Sequence, residues 1–468
     1  MFKKIVVFTF ILIFVFNAVT PASAQTPPPS SGPVYIVQSG DTLWSIAIRF
    51  SVSVSDIMAV NNMVSQDIFT GDRLIIPGLT GLSGTLVTLP VPFGETLNSL
   101  SRKFGIDPAL LIRLNHIVSP AELYAGYNLV VLQNDAHPAL TSRDELAKGD
   151  TLLELAVRQN SDPWSISQLN GFTGPQSVLA GDLLYLPSGG ITPAPGWIPG
   201  IQASVEVNPL PITQGVTVQI KATTSLPVSL GGMLVDHPFY FFPLEDGSRV
   251  ALQGVHAMTD PGLYPLRIDV TSSDGSTHSF EQMVLITSGN YQAETLSVES
   301  SFIDPEVTVP EDAWLLALVA PVTPDKNWQG MFQMPVAEDT YCVKSKYGNR
   351  RTYNGGALTG FHSGIDFGVC SKTHPYDIYA PADGVVVFTG LKTVRGNATI
   401  IDHGQGVYSG LYHQEEIYVT VGDRVTAGQL IGKIGKTGRV TGPHLHWDLW
   451  VNGIQVNPTQ WLNQTFPH

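Results

Sequence analysis

The sequence predicts a multidomain, mainly β chain: three small βααβ modules, an immunoglobulin-like β-sandwich and a C-terminal antiparallel-β domain. Three observations lead there. The tetrad Gly-(Asp/Glu)-Thr-Leu recurs at Gly40, Gly94 and Gly149, at intervals of 54 and 55 residues, which marks a repeated unit. Between about residues 201 and 288, alternating strand-like stretches are broken by Asp-Gly and Pro-Gly turns. Seven of the 12 His residues lie between His362 and the C-terminus, an enrichment that packing does not explain. A chain of 468 residues is too long for one core, so these regions are read as separate domains.

In chain order, Lys3 and Lys4 precede the apolar run Ile5 to Phe16 and the small residues Ala22-Ser23-Ala24, the pattern of a secretory signal over 1–24 with cleavage after Ala24. The run is shorter than the roughly 20 residues a bilayer crossing needs, so no stable membrane span is expected after cleavage. No Cys stands near the cleavage site to carry a lipid. The chain is therefore expected to be exported to the cell wall, periplasm or extracellular space. Residues 25–33 form a Pro-rich linker.

The repeats span 34–78, 85–133 and 141–187. In each copy an Asn follows the Gly of the tetrad by 21 positions (Asn61, Asn115, Asn170), and a second Gly (Gly71, Gly126, Gly181) opens a strand-like ending. Leu43, Ile46, Ala47 and Phe50 have helical spacing after a Thr able to cap. Asp107-Pro108 and Asp162-Pro163 announce the second helix of their copies, with Pro at the first helical position, where its missing N–H costs nothing. These units resemble LysM modules, the first more closely than the other two. The resemblance implies binding to N-acetylglucosamine-containing glycans such as the peptidoglycan backbone, with sugar contact at the loops after Gly40 and around Asn61. A net charge of −14 argues against capture of nucleic acid, which needs Lys and Arg to displace counterions.

Residues 188–200 are rich in Gly and Pro and read as a linker. The sandwich is placed at 201–289, on stretches such as Val216-Thr-Val-Gln-Ile220 and Tyr264-Pro-Leu-Arg-Ile-Asp-Val270. It holds no catalytic cluster and is read as a spacer or a substrate-side wall. Residues 290–329 connect it to the last domain, 330–463, with no secondary structure assigned.

That last domain carries His362-Ser-Gly-Ile-Asp366, His413 and His444-Leu445-His446. Imidazole nitrogen and carboxylate oxygen hold zinc well, and a catalytic zinc keeps three protein ligands plus a water. Residues i and i+2 of a strand share a face, so His444 and His446 can reach one ion and whatever is bound to it, while Leu445 faces a core. The segments Ser345-Lys-Tyr-Gly-Asn-Arg-Arg351, Gly364-Ile-Asp366, Ala380-Pro-Ala-Asp-Gly-Val385, Gly422-Asp-Arg-Val and Thr441-Gly-Pro-His-Leu-His446 resemble the LytM-type zinc endopeptidases of peptidase family M23, over roughly Phe332 to Trp461. The resemblance implies one Zn2+ ion on His362, Asp366 and His446, with His413 and His444 unligated beside the water as catalytic groups. Which of the two is the general base is left open. Two positions depart from the family pattern: Gln414 stands where a Leu is common, and Val440 where a Ser is common.

Other features are read as structural. His403, within Ile401-Asp-His-Gly-Gln-Gly406, is expected to be a backbone-bonded His at a turn; His374 lies in a polar loop; His116, His137, His237, His256 and His278 are scattered singly. Gly432-Lys-Ile-Gly-Lys-Thr437 is not a phosphate loop, since Leu430 stands where its first Gly is needed. Cys342 and Cys370 flank the first metal motif: a disulfide there would disfavour the unfolded chain by roughly 3 kcal/mol, and two buried thiols fit the sequence as well.

Together these parts read as an exported zinc metalloendopeptidase that cuts peptide stems or cross-bridges of peptidoglycan while its modules hold the glycan. A non-catalytic wall-binding activator of a separate amidase is the alternative from another class, though such relatives typically lack the metal ligands. A zinc protease acting on extracellular proteins is a third.

Overall fold

The computed structural model describes residues 32–79, 82–119, 122–133, 140, 142–146, 149–172, 178, 182–187, 197–198, 203–224, 227–337, 341–370 and 376–468. The export signal, most of the Pro-rich linker, most of the 188–200 linker, His137 and His374 lie outside the described residues. The chain divides into two compact units at Leu86/Val87. Among the described residues no single helix is long and apolar enough to cross a membrane.

In the first unit the strand Val34–Ile36 pairs antiparallel with Arg73–Ile75, and the helices Leu43–Arg49 and Val54–Val60 lie between them in sequence. Thr42 caps the first helix: its hydroxyl accepts from Ser45 N at 3.0 Å while Ser45 Oγ accepts from Thr42 N at 2.9 Å. Tyr35, Leu43, Ile46, Ile57, Leu74 and Ile76 are buried as the core. Asn61 is committed to the fold rather than to a loop surface. Its Nδ2 donates to Ile57 O (2.8 Å) and Ile75 O (2.9 Å), and its Oδ1 accepts from Ile75 N (2.8 Å). It thus ties the end of the second helix to the closing strand.

The second unit begins with two more modules of the same order. Helices Leu97–Phe104 and Pro108–Asn115 precede the strand Asn128–Gln133, and helices Leu152–Arg158 and Pro163–Leu169 lie between the paired strands Arg143–Glu145 and Leu183–Tyr185. Asn115 and Asn170 repeat the tie, Asn115 on Leu111 O and both backbone groups of Val130, Asn170 on Ile166 O and both backbone groups of Tyr185. That is why an Asn recurs 21 residues after each Gly.

The loop after the tetrad Gly differs between copies. Gly94 N donates to Gln282 Oε1 at 2.7 Å, Gln282 Nε2 donates to Glu95 O at 3.1 Å, and Phe93 packs edge-on against Phe280. Glu95, 2 % exposed, pairs with Arg143 of the third module at 3.1 Å. Gly94 and Glu95 of the second module's loop are therefore covered by their neighbours, whereas Gly149 in the third and, within its own unit, Gly40 in the first are exposed; the tetrad Thr is exposed in all three.

Trp197–Ile198 and strands within 203–287 form two five-stranded sheets. One is ordered Phe242–Pro243, Arg249–Gly254, Thr217–Thr224, Ala203–Asn208, Trp197–Ile198, and the other His237–Tyr240, Ser229–Leu234, Gly262–Thr271, Thr277–Thr287, Ile212–Thr213. Val205, Ile220 and Ala251 from the first meet Leu234, Phe239, Ile268 and Val284 from the second in one core. The first sheet also docks on the C-terminal domain. Val250 and Leu252 join the core of Trp328, Trp447, Val451 and Val456, and at Gly254 a Cβ would lie 2.8 Å from Ile454 Cβ and 3.0 Å from Val451 O, so only Gly permits the approach.

The connector is structured. Ala293–Leu296 pairs parallel with Arg350–Tyr353, which pairs antiparallel with Leu358–Phe361. The helix Pro305–Val319, capped by Asp304, buries Leu315 and Val319 against Ala398, Ile400, Tyr408 and Trp450. In the C-terminal domain a ten-stranded antiparallel sheet follows the order Tyr341–Ser345, Gly364–Val369, His444–Val451, Val407–Ile417, Gly396–Gly404, Gly384–Lys392, Arg424–Val425, with three short strands off this path. Cys342 and Cys370 are joined by a disulfide, tying the edge strand to the end of Gly364–Val369. His403 lies inside a strand, fully buried, with Nδ1 on Asp383 O (2.8 Å) and Nε2 on Ser409 Oγ (2.9 Å).

Candidate metal centre

Three neighbouring strands and one turn build the centre. Asp366 on Gly364–Val369 lies directly opposite His446 on His444–Val451, and Tyr412 on Val407–Ile417 pairs with His446 from the other side. His362 enters from the turn before Gly364. A Cβ at Gly364 would collide with the Trp447 carbonyl, so Gly is what lets this turn lie against the His444–Val451 strand.

His362 Nε2, Asp366 Oδ1 and His446 Nδ1 converge, with separations of 2.9 Å (His362–Asp366), 3.0 Å (His362–His446) and 2.8 Å (His446–Asp366). The opposite atom of each ring explains which nitrogen faces inward. His362 Nδ1 donates to Lys346 O at 2.8 Å and His446 Nε2 donates to Asp448 Oδ1 at 2.6 Å, leaving a lone pair on the inward nitrogen of both rings. Two nitrogen lone pairs 3.0 Å apart repel unless a cation lies between them: a metal ion or, without one, a proton on His446. Two imidazoles and a carboxylate form the donor set that zinc takes, so the residues fit such an ion.

The supporting residues were not anticipated. Arg351 donates to Asp366 Oδ2 at 2.9 Å and is itself held by Glu294 Oε2 at 3.2 Å, and Glu294 also accepts from Ser345 Oγ at 2.8 Å. Asp448, fully buried, accepts from His446, from Ser363 Oγ (2.8 Å) and from Gln455 Nε2 (3.0 Å). A signal existed for Asp448: the alternation that puts His444 and His446 on one face puts residue 448 there too. Arg351 lies in a segment that carries the family resemblance, though nothing there pointed to this role, and Glu294 carries no local signal.

His413 and His444 sit together, ring centroids 4.9 Å apart. His413 has φ 64°, a left-handed conformation at an irregularity of its strand, where Gln414 pairs with Asn397 but Leu411 with Thr399. The bulge redirects the ring, and a non-Gly residue held there costs about 1 kcal/mol that the surrounding sheet offsets. Its Nδ1 donates to Thr437 O at 2.8 Å, and His444 Nδ1 to Gly442 O at 2.9 Å, which leaves the lone pair of each ring on Nε2. His444 Nε2 is 3.5 Å from Asp366 Oδ1.

Burial pushes the imidazoles of His362, His413 and His444 below their usual value, keeping the rings neutral. Burial alone would raise Asp366, but His362 and His446 hold it well below the ordinary carboxylate range. At His446 burial is outweighed by Asp448 and Asp366, which push the ring up to about 9. The two carboxylates thus make the inward side of His446 a place that seeks positive charge.

The centre lies in a cleft of about 300 Å³ whose walls include Glu294, Arg351, Tyr353, Arg395, Arg439, His413 and His444. Arg395 is anchored by Glu311 of the Pro305–Val319 helix, which accepts from the backbone of Val394 (2.9 Å) and Arg395 (3.0 Å) and from Arg395 NH1 (3.1 Å). Of the two departures from the family pattern, Gln414 is turned away into the sheet, donating to Thr399 Oγ1 (2.9 Å) and Leu411 O (2.8 Å), and Val440 lines the cleft. The scattered His residues of the modules and the sandwich take no part in the cluster among the described residues.

Residues 360–458 match Peptidase family M23, and residues 35–77, 91–131 and 146–187 match the LysM domain. Over 136 residues the chain is 37 % identical to the peptidoglycan DD-endopeptidase ShyA of Vibrio cholerae, a match covering 28 % of this chain and 31 % of that protein. It is 42 % identical over 97 residues to the DD-carboxypeptidase/endopeptidase Mpg of Neisseria meningitidis, covering 21 % of this chain and 22 % of that protein. The chain thus spans less than a third of the length of these curated relatives. Among solved structures, a putative peptidase M23 from Pseudomonas aeruginosa aligns at 24 % identity and a TM-score of 0.39, covering 55 % of this chain and 96 % of that one. The chain joins three LysM domains to a domain of peptidase family M23.

Proposed function

We propose that this chain is an exported zinc metalloendopeptidase that hydrolyses peptide stems or cross-bridges of peptidoglycan while its LysM domains hold the glycan. The observation that carries the reading is the convergence of His362 Nε2, Asp366 Oδ1 and His446 Nδ1 within 3.0 Å, beside two further imidazoles in the same cleft. The relative named as a peptidoglycan DD-endopeptidase supports the substrate class.

One zinc ion on these three residues, when bound, supplies Lewis-acid polarisation of the scissile carbonyl and a water that ionises near neutral pH. The chain's own groups do the rest. Unprotonated Nε2 of one of His413 and His444 accepts the proton of the nucleophile, and the other ring, when its Nε2 is protonated, donates to the oxyanion that develops on the carbonyl. Arg351 fixes Asp366 through its outer oxygen and Asp448 fixes the ring of His446, so the donors keep their aim. Anchoring raises the local concentration of cleavable bonds without demanding a tight cleft. Because Gly94 and Glu95 of the second module's tetrad loop are covered, the first and third modules are the ones assigned to the glycan.

Purified muropeptides incubated with the zinc-loaded chain and analysed by mass spectrometry should show new amino termini, and His446→Ala should abolish them. Equal cleavage by the variant, or none by the parent, would defeat the assignment.

A further inference from the structure

Three arginines and one lysine border the cleft, and their charges are not equally committed. Arg351 is occupied by Asp366 (2.9 Å) and Glu294 (3.2 Å). Arg395 is occupied by Glu311 (3.1 Å) and Asp312 (2.7 Å). Lys344 is exposed, its ammonium left to water. Arg439 alone is half-buried with no carboxylate within 4.0 Å among the described residues. Its contacts are a long bond from NH1 to Phe302 O (3.4 Å) and the face of Tyr353, 5.0 Å from the ring centroid.

Two facts keep this guanidinium in the cleft. Its backbone is tied down, Arg439 N donating to Val394 O at 2.8 Å, and it belongs to the short loop that leads directly into His444 and His446. Its electrostatic setting is unfavourable: burial, with Arg395 and Arg351 nearby, holds it below the usual arginine value, Tyr353 and Asp312 offset this only in part, and Asp312, the one carboxylate among them, is already paired. A half-buried cation without a counter-charge carries part of the cost of a buried one unless a ligand brings that charge.

We propose that Arg439 receives a free carboxylate of the substrate, so that the cleft prefers anionic peptides over their amidated forms. This rests on the reading of the chain as a peptidase for wall peptides, whose stems carry free carboxylates beside their amide bonds. The planar fork of Arg439 matches a carboxylate in two parallel hydrogen bonds, which a carboxamide, with one acceptor and one donor, does not satisfy. Arg439 is in this sense a specificity-determining residue, apart from the groups that carry out the hydrolysis.

The test uses the full chain and two labelled synthetic stem peptides that differ only in carrying free carboxylates or the corresponding carboxamides. Binding is followed by fluorescence anisotropy and cleavage is read separately on the zinc-loaded protein. The parent should bind the free acid about tenfold or more tightly than the amide, the ratio of the two dissociation constants should fall toward one in Arg439→Gln, and Arg439→Lys should retain part of it because the charge remains and the fork is lost. Equal binding of the two peptides by the parent, an unchanged ratio in Arg439→Gln, or no binding of either peptide overturns the proposal. A parent that binds with the stated preference yet cleaves neither peptide supports the role of Arg439 and defeats the peptidase reading instead.

Discussion

Replacing Asp448 by Asn tests a residue that holds no ion and touches no substrate. Its side chain is fully buried, with Oδ1 accepting from His446 Nε2 at 2.6 Å and from Ser363 Oγ at 2.8 Å, and Oδ2 accepting from Gln455 Nε2 at 3.0 Å. Asn keeps the volume and one acceptor, so the sheet is retained. It removes the negative charge behind His446 and turns an NH2 toward either His446 or Gln455. A backing partner of a metal-bound His is worth about 10- to 100-fold in metal affinity, or about 1.4–2.8 kcal/mol. The lower figure applies if Gln455 rotates its amide to offer Oε1, and the upper if it does not and a buried donor is left unpaired. The assay is zinc competition against a chromogenic chelator on the full chain, with circular dichroism as the control for folding. A zinc affinity equal to the parent's would refute the claim that Asp448 sets the aim of His446, and a parent that retains no zinc would refute the centre itself.

Two further outcomes follow from buried groups away from the centre. His403 is fully buried and desolvation lowers its pKa to about 4 from 6.5. The unfolded chain therefore binds the proton more readily, so the contribution is complete above pH 6.5 and is lost as pH falls toward 4. About 3 kcal/mol should disappear over that window in denaturant titrations, and His403→Gln should lack this component. In the third module Asn170 makes three buried hydrogen bonds of 2.8–2.9 Å, so Asn170→Ala should raise the amide exchange rate of Tyr185 by about 10- to 100-fold, the equivalent of one or two such bonds.

What the sequence disclosed was set by how locally each feature is encoded. The five-group constellation was legible because His362 and Asp366 lie four residues apart and the alternation of a strand puts His444 and His446 on one face, while the choice of three ligands among the five came only from the family resemblance. The helices of the modules were legible from their caps: Thr42, Asp107 and Asp162 all accept a bond from the first helical turn. The recurring Asn was visible but its reason was not. It bonds a strand 14 or 15 residues further on, and only the folded module shows that this removes its side chain from the loop surface. The connector was unreadable for a related reason. Ala293–Leu296 is a four-residue strand that forms only against Arg350–Tyr353, and Glu294 meets Ser345 and Arg351 across more than 50 positions.

The boundary of the family match therefore does not bound the working site. The match begins at residue 360, but Arg351, which fixes Asp366, lies before it, and the residues that hold the cleft arginines lie earlier still: Glu294 on Arg351, Glu311 on Arg395. Both glutamates sit in the connector, on a strand that extends the Arg350–Tyr353 sheet and on a helix that packs against Ala398, Ile400 and Trp450. Without them Arg351 would keep only Asp366 and Arg395 only the exposed Asp312, and each would be freer to compete with Arg439 for an anionic ligand. The connector thus assigns charge within the cleft: it neutralises two arginines and leaves the third for whatever enters.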